Sequence, residues 1–196
     1  MKLNTSNSYI LENDHVKLIP LQQDHFELLL PFSENEPNLW DYSLTPANGS
    51  ENLEKYLAAA LKKRSEGDSY PFLVFDKKTE KYAGSTRFYD IQKHHNTVQL
   101  GYTWYGKDFQ GTGLNKNCKF LLLEFAFETV GVERVEFRAD ALNQRSVAAM
   151  KSIGCTEEGI LRQNCASAKG RRDSIVFSIL KDEWFGGIRE QLRNKI

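Results

Sequence analysis

The period of apolar and polar positions changes several times along the chain, and each change marks an element. HVKLIPL, from His15, alternates and reads as a first strand. DHFELLLPF and ENLEKYLAAALKKRSEG then switch to helical spacing. The second is the cleaner, with Leu53, Tyr56, Leu57, Ala60 and Leu61 on one face and Gly67 as its stop. Three strand-like runs follow: YPFLVFD, YAGSTRFYDI and TVQLGYTWY. In the third, alternation predicts Val98, Leu100, Tyr102 and Trp104 on one face, with Gln99, Gly101, Thr103 and Tyr105 on the other. Beyond DFQGTGLNKNC, residues 108–118, a helix carries Leu114, Cys118, Leu121, Leu122 and Phe125 on a stripe. Phe120, Leu123 and Phe127 widen that stripe, so the helix should be largely buried. RVEFRAD, 134–140, is another alternating strand, and it feeds a short helix from about Asn143 to Ile153 with Gly154 as its C-cap. EEGILRQNCASAKGRRDSIVFSIL reads as a hairpin turning near Lys169-Gly170, and a terminal amphipathic helix ends the chain.

Strand, two helices, three strands, helix, strand, helix and two strands make a mixed α/β domain. A meander comes first and crossover units follow, unlike the regular alternation of a doubly wound nucleotide fold. A length of 196 residues suits one domain, 1–196, with a real core. Acidic and basic residues number 26 each, and this balance argues against general nucleic-acid binding. KKR (62–64) and KGRR (169–172) are only short basic spots. MKLNTSNSYILENDH has no apolar run resembling a signal peptide, and no segment approaches membrane-spanning length, so a cytoplasmic location is expected. Cys118, Cys155 and Cys165 lack CxxC spacing and fit reduced, packed thiols; His15, His25, His94 and His95 lack a metal-ligand pattern, and no metal is expected.

Two phosphate-binding motifs fail. GYTWYGKD imitates a P-loop from Gly101, but Asp108 stands where a hydroxyl should ligate magnesium, and YTWY suits a strand rather than a nest of amides. Gly111 and Gly113 give the start of a dinucleotide fingerprint, yet Lys116 holds the third glycine's place. A third pattern survives. Gln110, Gly111, Thr112, Gly113, Leu114 and Asn115 fit Q/R-x-x-G-x-G/A, with Asn115 replacing the final small residue. The loop enters a helix, where free N–H groups and the helix dipole favour an anion. About thirty residues on, Asn143, Gln144, Arg145 and Ser146 precede VAAMKSI and Gly154 in an N-x-x-S-x7-G spacing. Singly, each half reads equally as a turn or an ordinary cap. Together, each after a strand, they are far more specific.

With LGYTWYGKDFQGTGLN, VEFRADALNQRSVAAMKSIGCTEEGILR and RDSIVFSI in place, the chain resembles the GNAT N-acetyltransferase superfamily. Within it, the chain is most similar to the branch of ribosomal-protein and peptide N-terminal acetyltransferases. The resemblance spans HVKLIPL to Glu183-Trp184. It implies a single-domain mixed sheet, flanked by helices, with a splayed central strand pair and acetyl-CoA as cosubstrate. It also implies that Thr103, Trp104 and Tyr105 hold the pantetheine arm by their backbone, and that Gln110–Asn115 hold the diphosphate. Asn143 and Ser146 would lie beside the thiol end. The implied reaction is direct acetyl transfer to a primary amine, with a protein N-terminus, an amino acid and a small amine as the alternatives.

Such transfer needs a neutral amine, a donor for the developing oxyanion and a proton for the leaving thiolate. Many relatives carry Glu where Gln99 stands and a Tyr acid where Met150 stands. Ser146 is the remaining candidate acid, with a helix-capping role as its alternative. Asp90, Glu136, Asp140 and Asp173 are candidate bases, each with an ion-pair or turn role as its alternative; Arg87, Arg138, Arg162 and Arg172 would pair with them or with an anionic acceptor. Trp40, Tyr42, Arg87 and Phe88 are candidate acceptor contacts, with the aromatic ones equally able to cover the core. A non-catalytic acyl-CoA sensor on the same fold is the competing reading. A homodimer remains an open expectation.

Overall fold

A computed structural model of the chain describes residues 1–167 and 170–196. Eight strands form one mixed sheet in spatial order β1-β2-β3-β4-β5-β6-β8-β7. β1 (Leu11–Glu12) is a short edge strand absent from the sequence reading, and β2 (Val16–Pro20) is the expected first strand. α1 (Phe26–Asn35) and α2 (Ser50–Ser65) come next, α2 burying Leu53, Tyr56, Leu57 and Ala60 as its spacing requires. β3 (Ser69–Asp76), β4 (Lys81–Gln92) and β5 (Thr97–Tyr105) form the antiparallel meander. α3 (Leu114–Glu124) runs on through a wider turn over Phe125–Val130 and carries the chain across to β6 (Arg134–Asp140), which lies parallel to β5.

α4 (Gln144–Ser152) ends in a Schellman motif. Gly154 takes φ +92°, its N–H reaches Lys151 O at 3.1 Å, and the Cys155 N–H reaches Met150 O at 3.2 Å. β7 (Thr156–Ser167) and β8 (Gly170–Leu180) make the terminal hairpin, paired up to Ser167 and Gly170. The expected turn residue Lys169 lies outside the described residues. The tail is a short helix α5 (Lys181–Glu183), a glycine kink and a second helix α6 (Arg189–Arg193), not the single helix expected. The kink is set by Gly187 at φ +144°.

Each face of the sheet has its own apolar cluster. α3, α4 and the tail cover one face, and α1 and α2 cover the other. Strict alternation fails in β5. Tyr102 adopts φ +49°, and Tyr102 and Thr103 together oppose Thr86, a bulge between the pairs Ser85↔Trp104 and Arg87↔Gly101. The extra residue flips every position after it. Val98, Leu100 and Tyr105 therefore share the α3 side while Trp104 packs on the α1/α2 side, which corrects the expected faces. No helix among the described residues is long and apolar enough to cross a membrane.

Candidate functional site

β5 and β6 pair over only three positions, Thr97↔Arg134, Val98↔Val135 and Gln99↔Glu136. Beyond Gln99 the strands part. β5 stays with β4 through its bulge, and β6 stays with β8 as far as Asp140. The facing edges past the fork therefore hold backbone polar groups without a strand partner, a strand-wide wedge of the kind an extended amide-bearing chain can fill. Thr103, Trp104 and Tyr105 lie on the β5 edge of this wedge. The side chains of Trp104 and Tyr105 are buried in opposite cores, so only their backbones lie along this edge.

The glycine loop crosses the mouth of the wedge. Gly111 takes φ +76° and Gly113 φ +92°, and a Cβ on either would meet nothing within 4 Å, so the loop surface is open. Gly113 is the N-cap of α3 in the left-handed region, which glycine alone enters cheaply. Its carbonyl accepts from Lys116 N and Asn117 N, while the N–H groups of Gly111, Thr112, Gly113 and Asn115 have no backbone acceptor among the described residues. The Thr112 hydroxyl donates to Phe109 O at 2.9 Å and shapes the turn from within. Leu114 is buried and anchors the first helical turn to the core. Open amides at a helix start, with glycines where a side chain would obstruct, suit a diphosphate.

The second motif meets the first in space. Gln110 donates through Nε2 to Tyr105 O at 2.9 Å, and its Oε1 accepts from the Arg145 guanidinium on α4. Arg145 thus brings a cation to the mouth of the wedge. It stands inside the N-Q-R-S run, but the spacing argument used only Asn143 and Ser146. Asn143 caps α4, its Oδ1 accepting from Ser146 N at 3.0 Å. Ser146 is therefore the capped residue and not the cap, and its hydroxyl has no partner among the described residues.

The other candidates separate clearly. Glu136 is held by Arg134 at 2.9 Å and Arg138 at 2.7 Å. Asp140 accepts from Leu142 N, a turn role, and Asp173 accepts from Gln163 N across the irregular stretch of the β7–β8 pairing. Asp90 has no cation partner among the described residues: Gln99 Nε2 donates to its Oδ2 at 2.7 Å and Gln92 Nε2 to its Oδ1 at 2.5 Å. The amide at position 99 thus carries a carboxylate on the neighbouring strand, a link that spacing along the chain could not reveal. Phe88 and Trp40 are core residues rather than cleft walls. Phe88 packs on Phe72 with centroids 6.1 Å apart, and Trp40 on Trp104 at 5.3 Å. Tyr42 is 41% exposed, and its carbonyl accepts from Arg172 Nη1 at 3.3 Å.

Arg87 is 6% exposed and makes no ion pair or hydrogen bond among the described residues. Its guanidinium lies 4.0 Å from the Tyr102 ring centroid and 4.7 Å from that of Tyr56. With Tyr89, Asp90 and Tyr102 it lines a cavity of about 150 Å³ on the α1/α2 face. Burial pushes the Tyr89 hydroxyl well above its ordinary range, so that residue stays neutral there. Sequence reasoning also missed Lys119. It lies on the buried stripe of α3, where a lysine reads as an interruption of the pattern, and its ammonium reaches Thr103 Oγ1 at 2.8 Å.

Residues 15–156 match the family described as an acetyltransferase (GNAT) domain. An N-acetyltransferase of unassigned role, p20, from Bacillus licheniformis is 29% identical over 122 residues, covering 62% of this chain and 67% of that one. A Bacillus subtilis (strain 168) protein provisionally named ribosomal N-acetyltransferase YdaF is 30% identical over 103 residues, covering 53% of this chain and 56% of that one. Among solved structures, a GCN5-related N-acetyltransferase from Brucella melitensis superposes with a TM-score of 0.89 at 25% identity, covering 99% of this chain and 86% of that one.

Proposed function

The chain belongs to the acetyltransferase (GNAT) domain family, and from that premise we propose that it moves an acetyl group from acetyl-CoA to a primary amine. The observation that carries this reading is the forked β5–β6 pair with an open-amide glycine loop at its mouth. The loop residues Gln110 to Asn115 would hold the diphosphate, with Arg145 adding charge. The backbones of Thr103, Trp104 and Tyr105 would hold the pantetheine arm. Asn143 and Ser146 would stand beside its far end on α4. The thioester supplies an activated acyl group. The protein aligns it with the amine and excludes water, which can provide much of the acceleration without a covalent enzyme intermediate.

The acceptor would approach from the α1/α2 face, where Arg87, Asp90, Tyr102 and Tyr42 lie. Asp90 is the carboxylate best placed to take the amine's proton, directly or through water, in place of the Glu that Gln99 replaces. Arg87 would meet an acceptor's carboxylate or backbone carbonyl. A protein N-terminus, an amino acid and a small amine all fit this description, and the name of the Bacillus subtilis relative puts ribosomal-protein N-termini first to be tried. The cytoplasmic location expected from the sequence is part of this proposal, and the three free cysteines support it.

A second reading, an acyl-CoA sensor without turnover, is favoured by Gln99 and Met150 at positions where acid–base groups are usual in the family. Incubation with acetyl-CoA and a panel of peptides, amino acids and small amines, following thiol release, separates the two. We expect release with at least one amine class. Tight CoA binding with no turnover on any of them would establish the sensor instead.

A further inference from the structure

Lys119 is a lysine in a place where the fold has no evident need for one. It is 7% exposed, projecting from the apolar stripe of α3 toward both strands of the wedge. Its Nζ donates to Thr103 Oγ1 on β5 at 2.8 Å and lies 6.0 Å from the Phe137 ring centroid on β6. Thr103 Oγ1 in turn shares a 2.7 Å hydrogen bond with Thr86 Oγ1 on β4. No carboxylate among the described residues pairs with this ammonium. Thr103 follows the bulged Tyr102 directly and lies past the last β5–β6 pair at Gln99, so the charge sits inside the fork. The glycine loop at the head of α3 is five residues away, roughly 7.5 Å along the helix.

We infer that Lys119 is the acid toward the acyl donor: its ammonium lies against the thioester sulfur and supplies the proton that the leaving thiolate needs. The inference rests on the wedge being the acyl-CoA slot. As the amine nitrogen bonds to the acyl carbon, the carbon–sulfur bond breaks and its electron pair stays on sulfur. Lys119 gives that sulfur a proton and becomes a neutral amine. The proton shed by the new amide nitrogen returns to Lys119 through water. Amine and thioester become amide and thiol, with no change of oxidation state.

The electrostatics agree. Burial lowers Lys119 to about 8. An ordinary thiol titrates near ~8.5, so proton transfer between the two is closely matched. The groups facing Lys119 are Cys118 on its own helix, Cys155 beyond α4, the Thr86 and Thr103 hydroxyls and the Phe137 ring. Burial pushes both thiols up to about 12, so they remain neutral and do not compete for its proton. Met150, at the family's usual acid position, cannot serve.

Lys119→Met and Lys119→Arg in the full chain test this, with three readouts. For Lys119→Met, turnover should fall by about 10²- to 10⁴-fold, the usual contribution of a general acid. The alkaline limb near pH 8 should disappear, CoA affinity by calorimetry should stay within a few-fold, and Tm should hold or rise, because an apolar side chain replaces an unpaired buried charge. Lys119→Arg keeps the charge but cannot release its proton, so turnover should stay low. Independently of any acceptor, the Lys119 titration followed by NMR should move upward with CoA, through pairing with its thiolate, and not with desulfo-CoA. Identical titrations with the two ligands, or full turnover in Lys119→Met, would overturn the assignment. So would a Tm loss that accounts for the lost activity. Wild-type protein that binds no CoA would overturn the slot reading itself, a separate failure.

Discussion

At the scale of single residues, the decisive positions are those where a side chain or its absence contradicts its surroundings. Gly113 holds φ +92° at the N-cap of α3 with open space where a Cβ would stand. The Cβ of a valine there would meet no clash, but the residue would carry the left-handed penalty of about 1–2 kcal/mol, more for a branched side chain. Relief of that strain would rotate the peptide that presents the loop amides. Gly113→Val should therefore raise the CoA dissociation constant at least about tenfold, a loss of 1.4 kcal/mol or more, while circular dichroism still reports a folded chain. Unchanged affinity would remove the loop from the site. Lys119 sets a second contradiction, with a testable sign. Its folded pKa, about 8, lies below the lysine value of 10.5, so between those pH values the unfolded chain holds the extra proton. Stability should then rise with pH across this window, and the cost of the buried charge should be largest below pH 8. The Tm advantage of Lys119→Met should shrink between pH 8 and 10.5 in matched melts. Neither the charge nor its setting was legible in the sequence. Periodicity places a residue on a face but cannot say that a lysine on the buried face has found the Thr103 hydroxyl on β5.

At the scale of elements, periodicity located the helices and strands well because each presents one continuous apolar face to the sheet or its cover. RVEFRAD became β6 to the residue. What it could not locate was the bulge at Tyr102, since one inserted residue leaves composition and length intact while exchanging the faces of everything after it. The consequence was concrete: Trp104, expected beside Val98 and Leu100, packs on Trp40 in the opposite core. Just past the bulge, β4 and β5 make a close approach that the sequence marks only with a glycine. A Cβ on Gly84 would lie 2.1 Å from Trp104 O and 2.9 Å from Tyr105 Cα, both backbone atoms that cannot swing away. Gly84→Ala should cost about 1–3 kcal/mol or more as overpacking and push β5 off its path, lowering Tm and CoA affinity together. A melt indistinguishable from wild type would show that β4 and β5 are less tightly fixed than this contact requires. On the α4 side, Asn143→Ala removes the cap from Ser146 N. It should cost about 1 kcal/mol in denaturant titration and lower turnover further by releasing the first turn of α4, beside the proposed thiol end.

At the scale of the molecule, the question is what holds α3 still, because its N-terminus makes the loop and its stripe carries Lys119. Its sheet side rests on the core, and the two-part tail closes the other. Trp184 is fully buried between Phe120 and Phe127, at 5.8 Å and 5.7 Å between centroids, and its Nε1 donates to Glu128 at 3.1 Å. Arg189 pairs with Glu128 at 3.0 Å, and Arg193 with Glu124 at 3.6 Å. The two kinds of contact differ in weight. Exposed ion pairs contribute roughly 0–1 kcal/mol, whereas deleting a buried tryptophan costs about 3–5 kcal/mol. Arg193→Ala should accordingly leave Tm and turnover near wild type. Trp184→Ala should lower Tm sharply, and at a temperature where the chain remains folded it should still weaken CoA binding, although Trp184 packs on Phe120 and Phe127 rather than on the glycine loop. The route is mechanical: without the indole, Phe120 and Phe127 lose their outer wall, and α3 can shift away from the tail and carry the loop amides with it. Equal CoA affinity for Trp184→Ala and wild type at that temperature would mean that the sheet alone positions α3 and that the tail contributes stability only.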